Sequence, residues 1–117
     1  MPTLLRLDCD IDGNEETKIV AIDSELQFVG TVGLQYKHLR SANIRQLYVD
    51  TARRGQGIGV MLVQECRQIA RNGGCETLGL VVDKANDKAR KFYEKLGFAF
   101  AYQYDNGDDL MTIGLRA

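Results

Sequence analysis

The sequence predicts an α/β fold, a mixed sheet of about seven strands with two helices in the order β-β-β-β-α-β-α-β-β. Three observations carry that expectation. The first half alternates with strand period, Leu5, Leu7, Cys9 and Ile11 opposing Leu4, Arg6, Asp8 and Asp10. The second half switches twice to helical spacing, at Leu62, Cys66, Ile69 and Ala70 and again at Ala89, Phe92, Tyr93 and Leu96. Between those two helices lies an apolar, β-branched run over 75–83, short enough to be a buried strand.

Taken in order, residues 3–11 form the first strand, and Asp12-Gly13 offers a turn whose glycine accepts positive φ. Strands follow over 17–23, 26–37 and 42–50, the first two separated by the turn residues Asp23, Ser24 and Glu25. This half reads as an antiparallel meander. A helix begins at Gly59 and stops at Asn72-Gly73-Gly74. The 42–83 unit is therefore strand–helix–strand, so its two strands should be parallel with a right-handed crossover. The second helix covers 86–97 and ends at Gly97. Residues 98–104 align Phe98, Phe100, Tyr102 and Tyr104 on one face, and the turn "DNGD" leads into a last strand over 109–116. No linker or repeat interrupts the pattern, so residues 1–117 read as one domain.

Composition narrows the functional classes. With 44% hydrophobic and 26% charged residues the chain is of ordinary globular type, and a net charge of −1 gives no general attraction to nucleic acid or an anionic membrane. Three scattered cysteines, Cys9, Cys66 and Cys75, suit reduced thiols better than a disulfide framework. With His38 the only histidine and no C-x-x-C, no metal site is expected. The N-terminus turns acidic within ten residues and lacks a signal-peptide pattern, so a cytoplasmic location is expected. Asp8, Asp10, Asp12 and Gly13 match the start of a calcium loop, but the closing position holds Ile19 and the flanks read as strands. The same acids, with Glu15 and Glu16, offer an alternative role in attracting a cationic acceptor.

The chemistry-bearing stretch is "LYVDTARRGQGIGVMLV", 47–63. It takes the chain from the end of a parallel strand into a helix, where free amides and a partial positive charge favour anions. Gly55, Gly57 and Gly59 let backbone approach a phosphate, and Arg53 and Arg54 add formal charge. A Walker loop is excluded because Val60-Met61 follow Gly59, and the dinucleotide fingerprint is excluded because position 60 is Val60. Alone, the stretch fits equally a plain strand-to-helix turn with two solvated arginines.

Residues 43–98 resemble the core of the GNAT superfamily of acyl-CoA-dependent N-acyltransferases. Arg54, Gly57 and Gly59 meet the family's Arg/Gln-x-x-Gly-x-Gly/Ala motif. Asn86, Ala89, Phe92, Tyr93, Glu94, Lys95, Leu96, Gly97 and Phe98 meet its downstream signature, with one strand between the two motifs. The resemblance implies a cofactor cleft between splayed parallel strands, 42–50 and 75–83. Acetyl-CoA would serve as cosubstrate, its pyrophosphate on the amides of Arg54, Gly55, Gln56, Gly57, Ile58 and Gly59. Its pantetheine arm would pair with the backbone of Leu47, Tyr48 and Val49 as an added strand would. Asn86 would bond that arm, cap the second helix, or do both. Tyr93 would protonate the departing thiolate, the alternative being a core aromatic beside Phe92.

Two departures from the family pattern stand out. Where many relatives carry a carboxylate before the loop, this chain has Arg45 and Gln46; Asp50 and His38 match no family position. Family members usually place two helices between the first and second strands, and here only "DGNEE" separates Ile11 from Thr17. The acceptor side is then either open or completed by another subunit, a possible homodimer. The expected function is transfer of an acetyl group to a primary amine of a small molecule or peptide by direct attack, without metal, nucleic acid or membrane. The alternatives are a non-catalytic acyl-CoA-binding module acting as sensor or partner subunit, and a generic nucleotide-binding protein.

Overall fold

The computed structural model describes residues 2–11, 14–37 and 40–115; the side chains of residues 9, 10, 11 and 14 lie outside that description. Strands β1 (Thr3–Ile11), β2 (Asn14–Ile22), β3 (Phe28–Lys37) and β4 (Ser41–Val49) form the meander. Helix α1 (Ile58–Asn72), strand β5 (Thr77–Val82), helix α2 (Asp87–Lys95), and strands β6 (Ala99–Gln103) and β7 (Asp109–Gly114) complete the chain. All seven strands join one sheet in the order β1-β2-β3-β4-β5-β7-β6, with β4 and β5 the parallel pair. The expected element order holds, and each boundary falls within a few residues of the sequence reading. The Asp12-Gly13 turn and His38 lie outside the described residues.

The core is made by one face of this sheet and α1. On α1, Ile58, Leu62, Val63, Cys66, Ile69 and Ala70 are buried, recurring at the spacing of a single helical stripe. They meet Ile19, Ala21, Val32, Leu34, Ala42 and Ile44 from the central strands. Helix α2 lies on the same side, since Phe92 approaches Gly59 of α1 and Tyr93 faces Cys66. Leu62, fully buried, touches β3 through α1 and anchors this layer. Its truncation, Leu62→Ala, should cost about 2–5 kcal/mol of unfolding free energy, read as a lower denaturant midpoint at constant slope.

No described helix covers the other face of the sheet. Its residues follow from register: Leu5 opposite Val20, Lys18 opposite Gly33, Glu16 opposite Gln35, and Gln35 opposite Asn43. Leu5 and Leu7 are consequently 45% and 57% exposed, while Leu4 packs against the core. The alternation is seen in the described part of the first strand, where Leu5 and Leu7 point away from the helices. The expectation of one aromatic face over 98–104 also needs correction. A register shift between Phe100 and Tyr102 breaks the alternation, leaving Phe98 buried and Phe100, Tyr102 and Tyr104 exposed.

Candidate active site

The parallel pair is short. β4 and β5 pair only at Ser41–Thr77, Ala42–Leu78 and Asn43–Gly79, and no pairing continues towards Val49 and Val82. The reason lies in β4 itself. Its register against β3 shifts between Thr31 and Gly33, opposite Gln46, which sits at φ +54°. A bulge of this kind bends its strand and raises its twist, here carrying the end of β4 away from β5. The expected splayed cleft is therefore present. Beyond Asn43, the β4 backbone facing the gap has no strand partner, which is the arrangement an extended ligand needs.

At the cleft's mouth the glycine loop enters α1. Gly55 and Gly57 take φ +84° and +81°, and a Cβ at either would meet nothing within 4 Å. Glycine is thus required by backbone conformation rather than crowding, and the space beside both is open. The first helical bond runs from the Met61 N–H to the Gly57 carbonyl at 3.0 Å. The amides of Ile58, Gly59 and Val60 precede it and have no helical acceptor. Gly57 is the N-cap, so no side chain caps this end, and the first turn carries no acid. Helix α2 is the contrast within the same chain. Asn86 Oδ1 accepts from the Ala89 N–H at 3.0 Å, and Asp87 occupies the first turn. One helix start is closed by its own residues and the other is left free for an anion.

The two arginines of the loop divide. Arg53 is bound to Asp23 at 2.6 Å and is committed to the β2–β3 turn, whose Glu25 and Gln27 amides also donate to Asp23. Those contacts, the Gln27 amide first and the Arg53 guanidinium next, hold the Asp23 carboxyl below its ordinary value. Arg54 donates through Nε to the Val49 carbonyl at 3.1 Å and lies 5.8 Å from the Tyr48 ring. It therefore lies against the β4 end, across the three residues expected to hold the pantetheine arm. Of these, Leu47 and Val49 pack partly against the core, and Tyr48 is exposed and stacks on Phe28. Gln56 is exposed, whereas the Ile58 side chain is buried, leaving only its amide for the site.

Tyr93 projects from α2 between two rings, edge-on to Phe92 at 5.1 Å and to Phe98 at 5.7 Å. Burial first, and then Cys66 beside it, push its phenol up to about 12, so it remains a proton donor across the physiological range. Cys66 is itself pushed up to about 12, chiefly by burial, and is no nucleophile. Helix α2 packs Ala89, Phe92 and Tyr93 partly against the core, and a polar clamp adds to that contact. Arg90, one turn before Tyr93, reaches Asp109 of β7 at 2.9 Å and Asp87 at 3.0 Å. Sequence reasoning missed this clamp because its partner lies on another strand.

Two depressions flank the sheet. The larger, about 780 Å³, includes Asp8, Glu15, Glu16, Thr17 and Gly73. Gly73 follows the last residue of α1, so this depression lies about 22 Å, a 15-residue helix length, from the glycine loop. The described acids of the first hairpin therefore stand at the far end of α1 from the loop. Asp8 there accepts a bond from Thr17 at 2.8 Å. The smaller depression, about 530 Å³, lies where β4 and β5 part and includes Gln35, Lys37, Asn43, Arg45, Gln46 and Val81. Among the described residues no group of histidine, cysteine, aspartate or glutamate is placed to hold a metal.

The family model described as "Acetyltransferase (GNAT) family" matches residues 2–98. The chain is 32% identical over 103 residues to N-alpha-acetyltransferase 30 of Schizosaccharomyces pombe, covering 80% of this chain and 67% of that protein. It is 33% identical over 88 residues to glucosamine 6-phosphate N-acetyltransferase of Trypanosoma brucei brucei, covering 70% and 58% respectively. Other curated relatives are matched over as little as 23% of their own length. Among solved structures, the PaiA N-acetyltransferase of Thermoplasma acidophilum in complex with coenzyme A shares the fold. There the TM-score is 0.76 at 23% identity, over 85% of this chain and 60% of that one.

Proposed function

This chain belongs to the acetyltransferase (GNAT) family, and from that premise we propose that it moves an acetyl group from acetyl-CoA to a primary amine by direct attack. The observation that carries the reading is the uncapped start of α1 beside the split between β4 and β5. The amides of Ile58, Gly59 and Val60, with those of the Gly55–Gly57 loop, hold the pyrophosphate, and Arg54 swings from the Val49 carbonyl to add charge. The freed backbone of Leu47, Tyr48 and Val49 lines the pantetheine arm, and Asn86, while capping α2, offers its Nδ2. Bound in this way, the cosubstrate supplies an activated acyl carbon and a thiolate leaving group.

The remaining steps belong to the protein and the acceptor. The gap admits an amine from the helix-free face, opposite the side on which α1 and α2 lie. As the amine nitrogen bonds to the acyl carbon, the carbon–sulfur bond breaks. Tyr93 gives its phenolic proton to the sulfur, and the proton lost by the amine passes through water back to the Tyr93 phenolate. The relatives' names, which refer to an N-alpha position and to glucosamine 6-phosphate, support acetylation of an amine nitrogen. An acyl-CoA-binding module without transfer is favoured only by the lack of a carboxylate at Arg45 and Gln46.

Thermal unfolding tests the reading. Acetyl-CoA at a hundred times its Kd should stabilise the fold by about 2.7 kcal/mol, raising Tm by several degrees. ATP and NAD at the same concentration should give far less. No shift with saturating acetyl-CoA would remove the reading, and a shift without release of CoA in the presence of amines would favour the binding module.

A further inference from the structure

The smaller depression carries a charge pattern that the family resemblance does not supply. It lies on the helix-free face, and its residues come from β3, β4 and β5 around Asn43–Gly79, the last pair before the strands part. The bulge at Gln46 shapes it. Arg45 shares its face with Asn43 and Gln35, because Gly33–Arg45 and Gln35–Asn43 are alternate pairs of β3 and β4, and Gln46 borders the same groove at the bulge. Gln35 and Asn43 add amides, Gln35 being 5% exposed, and Lys37 adds a second cation. Among the described residues no carboxylate lines the groove. The nearest acid in register is Glu16, opposite Gln35, whose buried carboxylate lies over Gly33 on the neighbouring strands.

Arg45 differs from the other described arginines. Arg6, Arg40, Arg53 and Arg90 are paired with carboxylates. Arg54 and Arg71 donate to the carbonyls of Val49 and Leu115, and Arg67 to Gln64. Arg45 has no such partner among the described residues, and Lys37 makes no ion pair there. Lys37 also borders the larger depression with its acids, so Arg45 is the principal cation of this groove; it disfavours an acceptor that is only cationic and attracts one that also carries an anion.

We propose that the acceptor is an amine bearing an anionic group, carboxylate or phosphate, and that Arg45 and Lys37 hold that group in this groove while the amine faces the gap. The inference rests on the acetyl-transfer reading above. It predicts that polyamines are poor acceptors and that discrimination comes from binding, through KM more than kcat.

Calorimetric titration into the CoA-saturated protein, alongside acetylation kinetics, tests it with matched pairs. Glycine against glycinamide isolates a carboxylate, glucosamine 6-phosphate against glucosamine isolates a phosphate, and spermidine supplies the polycation. In at least one pair the anionic member should bind about tenfold to a hundredfold tighter than its neutral counterpart, and the pair in which it does so identifies the anion. Arg45→Ala should collapse that ratio, and Lys37→Ala should reduce it. Arg40→Ala, which removes the same charge outside the groove, should preserve it. Equal binding within both pairs, or an unchanged ratio in Arg45→Ala, would overturn the proposal while leaving acetyl-CoA binding intact. Failure of CoA itself to bind would instead overturn the acetyl-transfer reading, and this inference with it.

Discussion

Replacing Tyr93 with phenylalanine should lower kcat for amine acetylation by about two to four orders of magnitude, with little change in CoA affinity or stability. The substitution removes one oxygen and keeps the ring. The edge-on contacts with Phe92 and Phe98 therefore survive, and no cavity opens beside Cys66. What disappears is the half-buried phenolic proton proposed to reach the sulfur. Because burial raises the Tyr93 phenol to about 12, the wild-type rate should show no alkaline loss from this group until the pH approaches that value. A phenol at its ordinary value would lose its proton, and the rate with it, near pH 10. Stopped-flow or steady-state CoA release across pH 6 to about 11 measures both effects. Retention of kcat within about tenfold in Tyr93→Phe would reduce Tyr93 to a packing residue, and the acid would have to be water.

The second large effect is expected at Gly57. Its φ of +81° costs an L-residue about 1–2 kcal/mol, so Gly57→Ala should lose stability by roughly that amount. Its Cβ would also stand beside the free amides of α1, in the space assigned to the pyrophosphate, so acetyl-CoA affinity should fall by about tenfold or more. Gly74→Ala separates the two effects. Gly74 has φ +86° and equally open surroundings, but lies beyond the other end of α1. Both variants should unfold at lower denaturant, and only Gly57→Ala should lose the acetyl-CoA-dependent shift in Tm. Equal affinity in the two would mean that Gly57 serves the turn alone.

Much of this site was legible before any fold was known, because its signals are local. The spacing of Leu62, Cys66, Ile69 and Ala70 specifies a buried helical stripe whatever that helix packs against. Gly55 and Gly57 mark a left-handed backbone turn that the local chain alone requires. Asn86 three residues before Ala89 is a capping geometry contained within one helical turn. Other assignments failed where the deciding partner was distant in the chain. Arg53 and Arg54 look interchangeable, yet Asp23, thirty residues away, takes one and leaves the other at the cleft. The alternation of Leu5 and Leu7 states that they share a face, but not that this face lies bare of helices.

The order of elements, the place of the glycine turn and the helix that carries Tyr93 are properties of short segments, and the sequence alone was enough to specify them. Register is a different kind of quantity. The bulge at Gln46 shifts the register of β4 against β3, β4 leaves β5 beyond Asn43, and Arg45 keeps the face set by its pairing with Gly33. A shift of one residue exchanges the two faces of a strand without altering its pattern. Only the assembled sheet, with β3 pairing β4 along its length and β5 pairing it only from Ser41 to Asn43, fixes that register.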